Sequence, residues 1–189
     1  MADPGAVKGK TTRRRLFKAG IAGGVLALTG SVVAFVRTRG YEVSAERAGK
    51  LVAFSPWHFI VFEHIARRIA APDRDDAPSV DDVDVVGFID GYVAEMHEDL
   101  RRDLLRLLVY VEQLAPIASG FSSRFTRLAP EGQDQVLSAL EASRDDLLRG
   151  GFDGLKSLVF MGYYRDARTW KILGYEGPLL NRPQGGWTR

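Results

Sequence analysis

Residues Val83 to Pro116 read VDVVGFIDGYVAEMHEDLRRDLLRLLVYVEQLAP, and the spacing of this stretch decides the fold class. Val86, Ile89, Val93 and Met96, then Leu100, Leu104, Leu107, Leu108, Val111 and Leu114, recur three and four residues apart, which is the period of one helix face. Periodic runs much beyond ~25 residues are unusual in a single domain. A bend or break is therefore expected near Met96 to Asp99, and Pro116 ends the run.

Upstream, Ser55-Pro56 pairs a preferred N-cap with the residue favoured at the first helical position. A helix is predicted from Pro56 to about Ala70, with Phe59, Phe62, Ile65, Ala66 and Ile69 on its apolar face. Pro72 to Pro78 is a loop, and Asp81, Asp82 and Asp84 come after it. Asp82, Asp84 and Gly87 fit a calcium loop poorly, because Val86 stands where an oxygen ligand is needed. The acidic run is read instead as complementing the next helix N-terminus, and no metal is assigned.

Downstream, Pro116 to Gly120 is a predicted turn, Phe121 and Phe125 are packed, and Pro130 opens a helix through Val136, Leu137 and Leu140. Asp145 to Gly151 is expected to interrupt. A last helix runs from Phe152 to about Tyr164, with Leu155, Leu158, Val159 and Phe160 apolar. No stretch alternates long enough to require a sheet. The expectation is an all-α, compact domain of about five helices, 54–189, with an irregular aromatic and glycine-rich tail from Arg165 to Arg189. That tail, with Trp170, Tyr175 and Trp187, either folds back over the domain or lies on a partner.

The N-terminus is of another kind. Arg13, Arg14 and Arg15 precede a run without charge from Ala19 to Val36. Thr12, Arg13, Arg14, Arg15, Leu16, Phe17 and Lys18 resemble a twin-arginine export signal, with Leu16 and Phe17 in the less common order. An ordinary secretory signal or a positive-inside anchor also begins with a basic cluster. Gly20, Gly23, Gly24 and Gly30 keep the run only moderately hydrophobic, which suits the twin-arginine translocase better. No Ala-x-Ala precedes Arg37, and the run is near the lower limit for a membrane span. Residues 1–36 are accordingly read as a signal retained as a membrane anchor, on the periplasmic side of the cytoplasmic membrane, and 37–53 as a tether.

Composition narrows the function. The net charge of +2 conceals an excess of +5 within residues 1–18, so the remainder is slightly acidic. A phosphate-binding surface for nucleic acid is thus not expected. The absence of cysteine removes disulfides, thiolate metal sites, covalent haem and a cysteine nucleophile. His58, His64 and His97 have neither the i, i+4 spacing of a helical zinc pair nor a Glu three residues before them. Serine elbows, Walker loops and dinucleotide loops are missing. Catalytic, cofactor-binding and metal residues are therefore read as none.

Gly162, Tyr163, Tyr164, Asp166, Trp170, Gly174, Tyr175, Gly177 and Pro178, within FDGLKSLVFMGYYRDARTWKILGYEGP from Phe152 to Pro178, resemble the closing motif of the gluconate 2-dehydrogenase subunit 3 family. These are small subunits of membrane-associated flavin-dependent dehydrogenases. Ser55-Pro56, the Ala71-Pro72-Asp73 loop, Phe88-Ile89-Asp90 and Phe125, Leu128, Pro130 and Glu131 agree with it. Ala167 stands where a Pro is common, and without cysteines no covalent link to a large subunit can form.

The resemblance implies a non-catalytic accessory subunit that supports maturation, folded export and membrane placement of a large subunit similar to glucose-methanol-choline oxidoreductases. FAD is expected in that large subunit, and haem in a multi-haem cytochrome c that often forms a third. The partner interface is assigned to Phe160, Gly162, Tyr163, Tyr164, Trp170, Gly174, Tyr175, Gly177 and Pro178, against the alternative that some of them close the subunit's own core. A stand-alone membrane-tethered enzyme or ligand-binding domain, with a pocket around His58, His64 or Asp90, is the competing expectation. A plain structural tether is a third.

Overall fold

The computed structural model describes residues 41–70 and 76–177. The chain divides into units 1–40 and 41–189, and every described residue belongs to the second. The signal residues Thr12, Arg13, Arg14, Leu16, Phe17 and Lys18, the apolar run 19–36 and Pro178 lie outside the described residues.

The described residues are helical and contain no strand. Their α-helices are α1 (Ala45–Ala48), α2 (Pro56–Ile69), α3 (Val85–Glu95), α4 (Glu98–Val109), α5 (Ala115–Ala118), α6 (Pro130–Glu141) and α7 (Asp146–Tyr164). Five of these have eleven residues or more, in line with the expected number. Among the described residues no helix is long and apolar enough to cross a membrane.

Helix α2 starts where Ser55-Pro56 places it and buries Phe59, Val61, Phe62, Ile65 and Ala66. His58 stands at the third helical position and takes the capping-box role usually given to Glu or Gln: its Nδ1 accepts the Ser55 backbone N–H at 3.2 Å. The expected break after α3 is sharp. Met96 is extended (ψ 151°) and His97 caps α4. The long apolar run is thus two helices, and α4 continues into a π-helical turn, Tyr110–Leu114.

Three expectations are corrected. Asp145 to Gly151 does not interrupt a helix, because the Asp145 carboxylate accepts from the backbone N–H groups of Leu147 (2.9 Å) and Leu148 (3.3 Å) and starts α7 six residues early. Two helical glycines each cost roughly 1 kcal/mol against Ala, but Gly151 lets Leu107 come within 3.1 Å of where its Cβ would stand. The tail is not irregular up to Leu173: Ala167–Leu173 is a 3-10 helix capped by Asp166. Residues 41–53, most of the expected tether, are packed on the domain. Backbone N–H groups of Val52 and Ala53 donate to Asp90 at 2.7 and 3.0 Å.

The core is one cluster centred on α2, α3 and α7, with Phe62, Ile65, Val85, Ile89, Val93, Leu108, Val111, Phe125, Val136, Leu155, Val159 and Tyr163 essentially buried. The exposed residues of α4 include the charged Arg102, Asp103 and Arg106 together with Leu100, which is 62% exposed. Asp84, the residue before α3, is in the left-handed region (φ 47°), which Asp tolerates better than most residues. Asp82 bonds the Ser79 hydroxyl and backbone N–H at 2.7 and 2.9 Å. It therefore caps the preceding turn and not the helix.

Candidate functional site

The closing motif begins inside the core. Gly162 faces α3 so closely that an added Cβ would stand 2.9 Å from Val85 Cγ1 and 3.3 Å from Ile89 Cγ1. Tyr163 is 2% exposed, and its hydroxyl donates to the Pro78 carbonyl at 2.7 Å. Both residues serve the domain's own packing.

The turn after α7 is then fastened to α3 and the loop before it. Arg165 donates to the Val83 carbonyl (2.8 Å) and lies over the Phe88 ring (4.6 Å). Arg168 donates to the Asp82 carbonyl at 2.8 Å. The same guanidinium, bonded to Asp166, holds that carboxyl down at about 2. Thr169, buried, donates to the Asp166 carbonyl at 2.8 Å. The Trp170 indole N–H donates to the Tyr164 carbonyl at 2.8 Å, satisfying one of the open acceptors at the end of α7.

Two glycines shape the chain beyond Leu173. Gly174 closes the 3-10 helix at φ 64°, and Gly177, at φ 101°, passes over the Trp170 ring, whose Cζ3 would be 3.3 Å from a Cβ there. Tyr175 packs edge-on against Trp170 with centroids 5.2 Å apart. Phe160 and Tyr164 pack at 5.8 Å. The nine assigned interface residues therefore separate. Gly162 and Tyr163 are internal, and Trp170, Gly174 and Gly177 build the turn. Phe160 and Tyr175 are exposed, Tyr164 half-buried, and Pro178 is outside the described residues.

Leu173, 59% exposed beside Tyr175, was not singled out by the motif. Nor was the outer face of α7, where Gly150, Gly154 and Ser157 are exposed, Met161 is half-buried and Asp153 is the one charge among them. A solvent face usually carries more charges at such positions.

The residues of the alternative pocket are engaged otherwise. His58 is held neutral, its pKa lowered to about 4 by burial, and its ring lies 3.7 Å from that of Trp57. His64 Nδ1 is 3.0 Å from Gln133 Nε2, which also donates to the Phe125 and Leu128 carbonyls. Asp90, buried, takes the backbone N–H groups of Val52, Ala53 and Phe54. A groove of about 390 Å³ beside it is lined by Ser44, Arg47, Lys50, Phe59 and Asp84, and its charges are paired as Arg47 with Asp84 and Lys50 with Glu46. Among the described residues, no three His, Asp or Glu are placed to hold a metal ion.

Sequence reasoning missed a second buried carboxylate, Glu112, in the π-helical turn. It accepts from the Tyr41 hydroxyl (2.6 Å), the Thr126 hydroxyl (2.8 Å) and the Thr126 backbone N–H (3.1 Å). Burial pushes its carboxyl up despite those donors and Arg124, and burial with the Glu112 contact pushes the Tyr41 hydroxyl up. A lone acid between Val111 and Leu114 was its only signal.

The described domain is helical, its buried Asp90 and Glu112 accept hydrogen bonds from its own residues, and Phe160, Leu173 and Tyr175 are exposed near its end. The chain belongs to the gluconate 2-dehydrogenase subunit 3 family, whose model matches residues 58–177, more than half of its length. Membership sets it among accessory subunits of dehydrogenase complexes. No curated protein and no solved structure matches the chain significantly.

Proposed function

We propose that this chain is the non-catalytic small subunit of an exported flavin-dependent dehydrogenase. It carries the twin-arginine signal Thr12 to Lys18 for a FAD-binding large subunit and supports that subunit's maturation, folded export and placement at the periplasmic side of the membrane. A multi-haem cytochrome c is the natural third member. The observation that carries the reading is the family match over 58–177 on a chain that also has the signal pattern. The sparsely charged outer face of α7, with Asp153 among Gly150, Gly154 and Ser157, and the exposed Phe160, Leu173 and Tyr175 support a docking role, since aromatic residues bury large area at low entropy cost.

The experiment is to change Arg13 and Arg14 to Lys in cells that make both proteins. Both this chain and a flavoprotein should then remain in the cytoplasm, and from wild-type cells the two should co-purify after mild detergent extraction. A chain that emerges alone, with flavoprotein export unaffected by the substitution, overturns the proposal.

A further inference from the structure

Two buried carboxylates, Glu112 and Asp90, hold the two ends of one segment. At its start, Tyr41 donates to Glu112 at 2.6 Å, and the Arg124 guanidinium lies 4.3 Å over the Tyr41 ring. At its end, Val52, Ala53 and Phe54 donate to Asp90 at 2.7, 3.0 and 2.5 Å. Between them Ser44 caps α1, accepting the Arg47 backbone N–H at 3.3 Å, and Arg47 reaches Asp84 at 3.3 Å. Glu112 and Asp90 are 0% and 3% exposed, so water cannot replace these donors without opening the domain.

Within this segment stands Val43-Ser44-Ala45, a triplet that ends in the small residues Ser44 and Ala45 and so shares part of the pattern cut when a leader is removed. A cut after Ala45 would detach Tyr41 and leave Glu112 buried and short of a donor. A protease also needs an extended strand, whereas Ala48 and Gly49 donate their backbone N–H groups to the Ser44 and Ala45 carbonyls at 2.8 and 3.1 Å.

We propose that residues 41–54 form a strap by which the folded domain withholds Val43-Ser44-Ala45 from processing, so that the exported chain retains Tyr41. The strap turns folding into the condition for keeping whatever lies before it: an unfolded domain offers the triplet, and a folded one does not. The biological meaning rests on the export reading, but the strap does not.

Two measurements test it. Intact mass and N-terminal sequencing of the full chain recovered from membranes should show Tyr41 retained, and a wild-type chain beginning at Glu46 overturns the proposal. On the purified full chain, Tyr41→Phe, which removes only the hydroxyl, should speed tryptic cutting at Arg47 and Lys50 about tenfold, as the loss of one hydrogen bond to a buried carboxyl implies. Its circular dichroism should stay that of the wild type. Thr126→Val, which keeps Tyr41, should give a smaller increase. Cutting of Tyr41→Phe at the wild-type rate overturns the strap. Slow wild-type cutting in a chain that is not exported would overturn the export reading alone.

Discussion

The Asp90 carboxylate lies 2.5 Å from the backbone nitrogen of Phe54, 36 residues before it in the chain. One side chain of α3 thus satisfies three successive N–H groups that α2 cannot reach. Asp90→Ala should lower the free energy of unfolding by about 1–3 kcal/mol, because the buried Phe54 donor is left unpaired, whereas those of Val52 and Ala53 are only partly buried. Urea unfolding monitored by circular dichroism measures it, and a change below about 1 kcal/mol would show that the clamp is not needed.

Gly162 and Gly154 should respond oppositely in the isolated subunit. At Gly162 a methyl meets Val85 and Ile89, so Gly162→Ala should destabilise by about 1–3 kcal/mol. At Gly154 a Cβ meets nothing within 4 Å, so Gly154→Ala should stabilise by up to about 1 kcal/mol. If α7 docks on the large subunit, the same Gly154→Ala should weaken co-purification while raising the melting temperature.

Phe160→Ala and Tyr175→Ala remove exposed rings. The expected outcome is a weaker complex in a pull-down with an unchanged melting curve. Unfolding of the subunit by either substitution would assign those rings to internal packing.

His58 gives stability a defined dependence on pH. Burial lowers it from 6.5 to about 4, so as pH falls the unfolded chain takes up the proton first. The contribution of neutral His58 is complete above 6.5 and is lost between 6.5 and about 4. In His58→Gln, whose amide oxygen can still accept from Ser55, the slope in that window should flatten. Glu112 acts with the opposite sign, since the fold raises its carboxyl, and comparing the variant with wild type cancels it. Urea midpoints at about pH 7.5, 6 and 5 check this.

What was legible in the sequence was local. Ser55-Pro56 and Pro130 mark helix starts through their own backbone preferences, and the apolar period of Val83 to Leu114 shows two helices facing one core. Asp145 to Gly151 misled because Gly150 and Gly151 are weak helix formers, while the Asp145 cap and the Leu107 contact that outweigh them depend on geometry and tertiary packing. Tyr41 and Glu112 are 71 residues apart, and no periodicity links that tyrosine to an acid in a π-helical turn. The closing motif could be recognised as a set, but its division between core and surface comes from the rotation of α7 against α3.

Helix α3 has a consequence for motion. Its Asp90 secures Phe54, its Val85 and Ile89 receive Gly162, and its Phe88 lies under Arg165, so the segment before α2 and the end of α7 are splinted to the same eleven residues. Fraying at one end cannot remain local once α3 loosens. In native-state hydrogen exchange the amides of Val52 to Phe54 and of Gly162 to Arg165 should open as one cooperative unit, which makes two segments more than a hundred residues apart in the chain a single dynamic element.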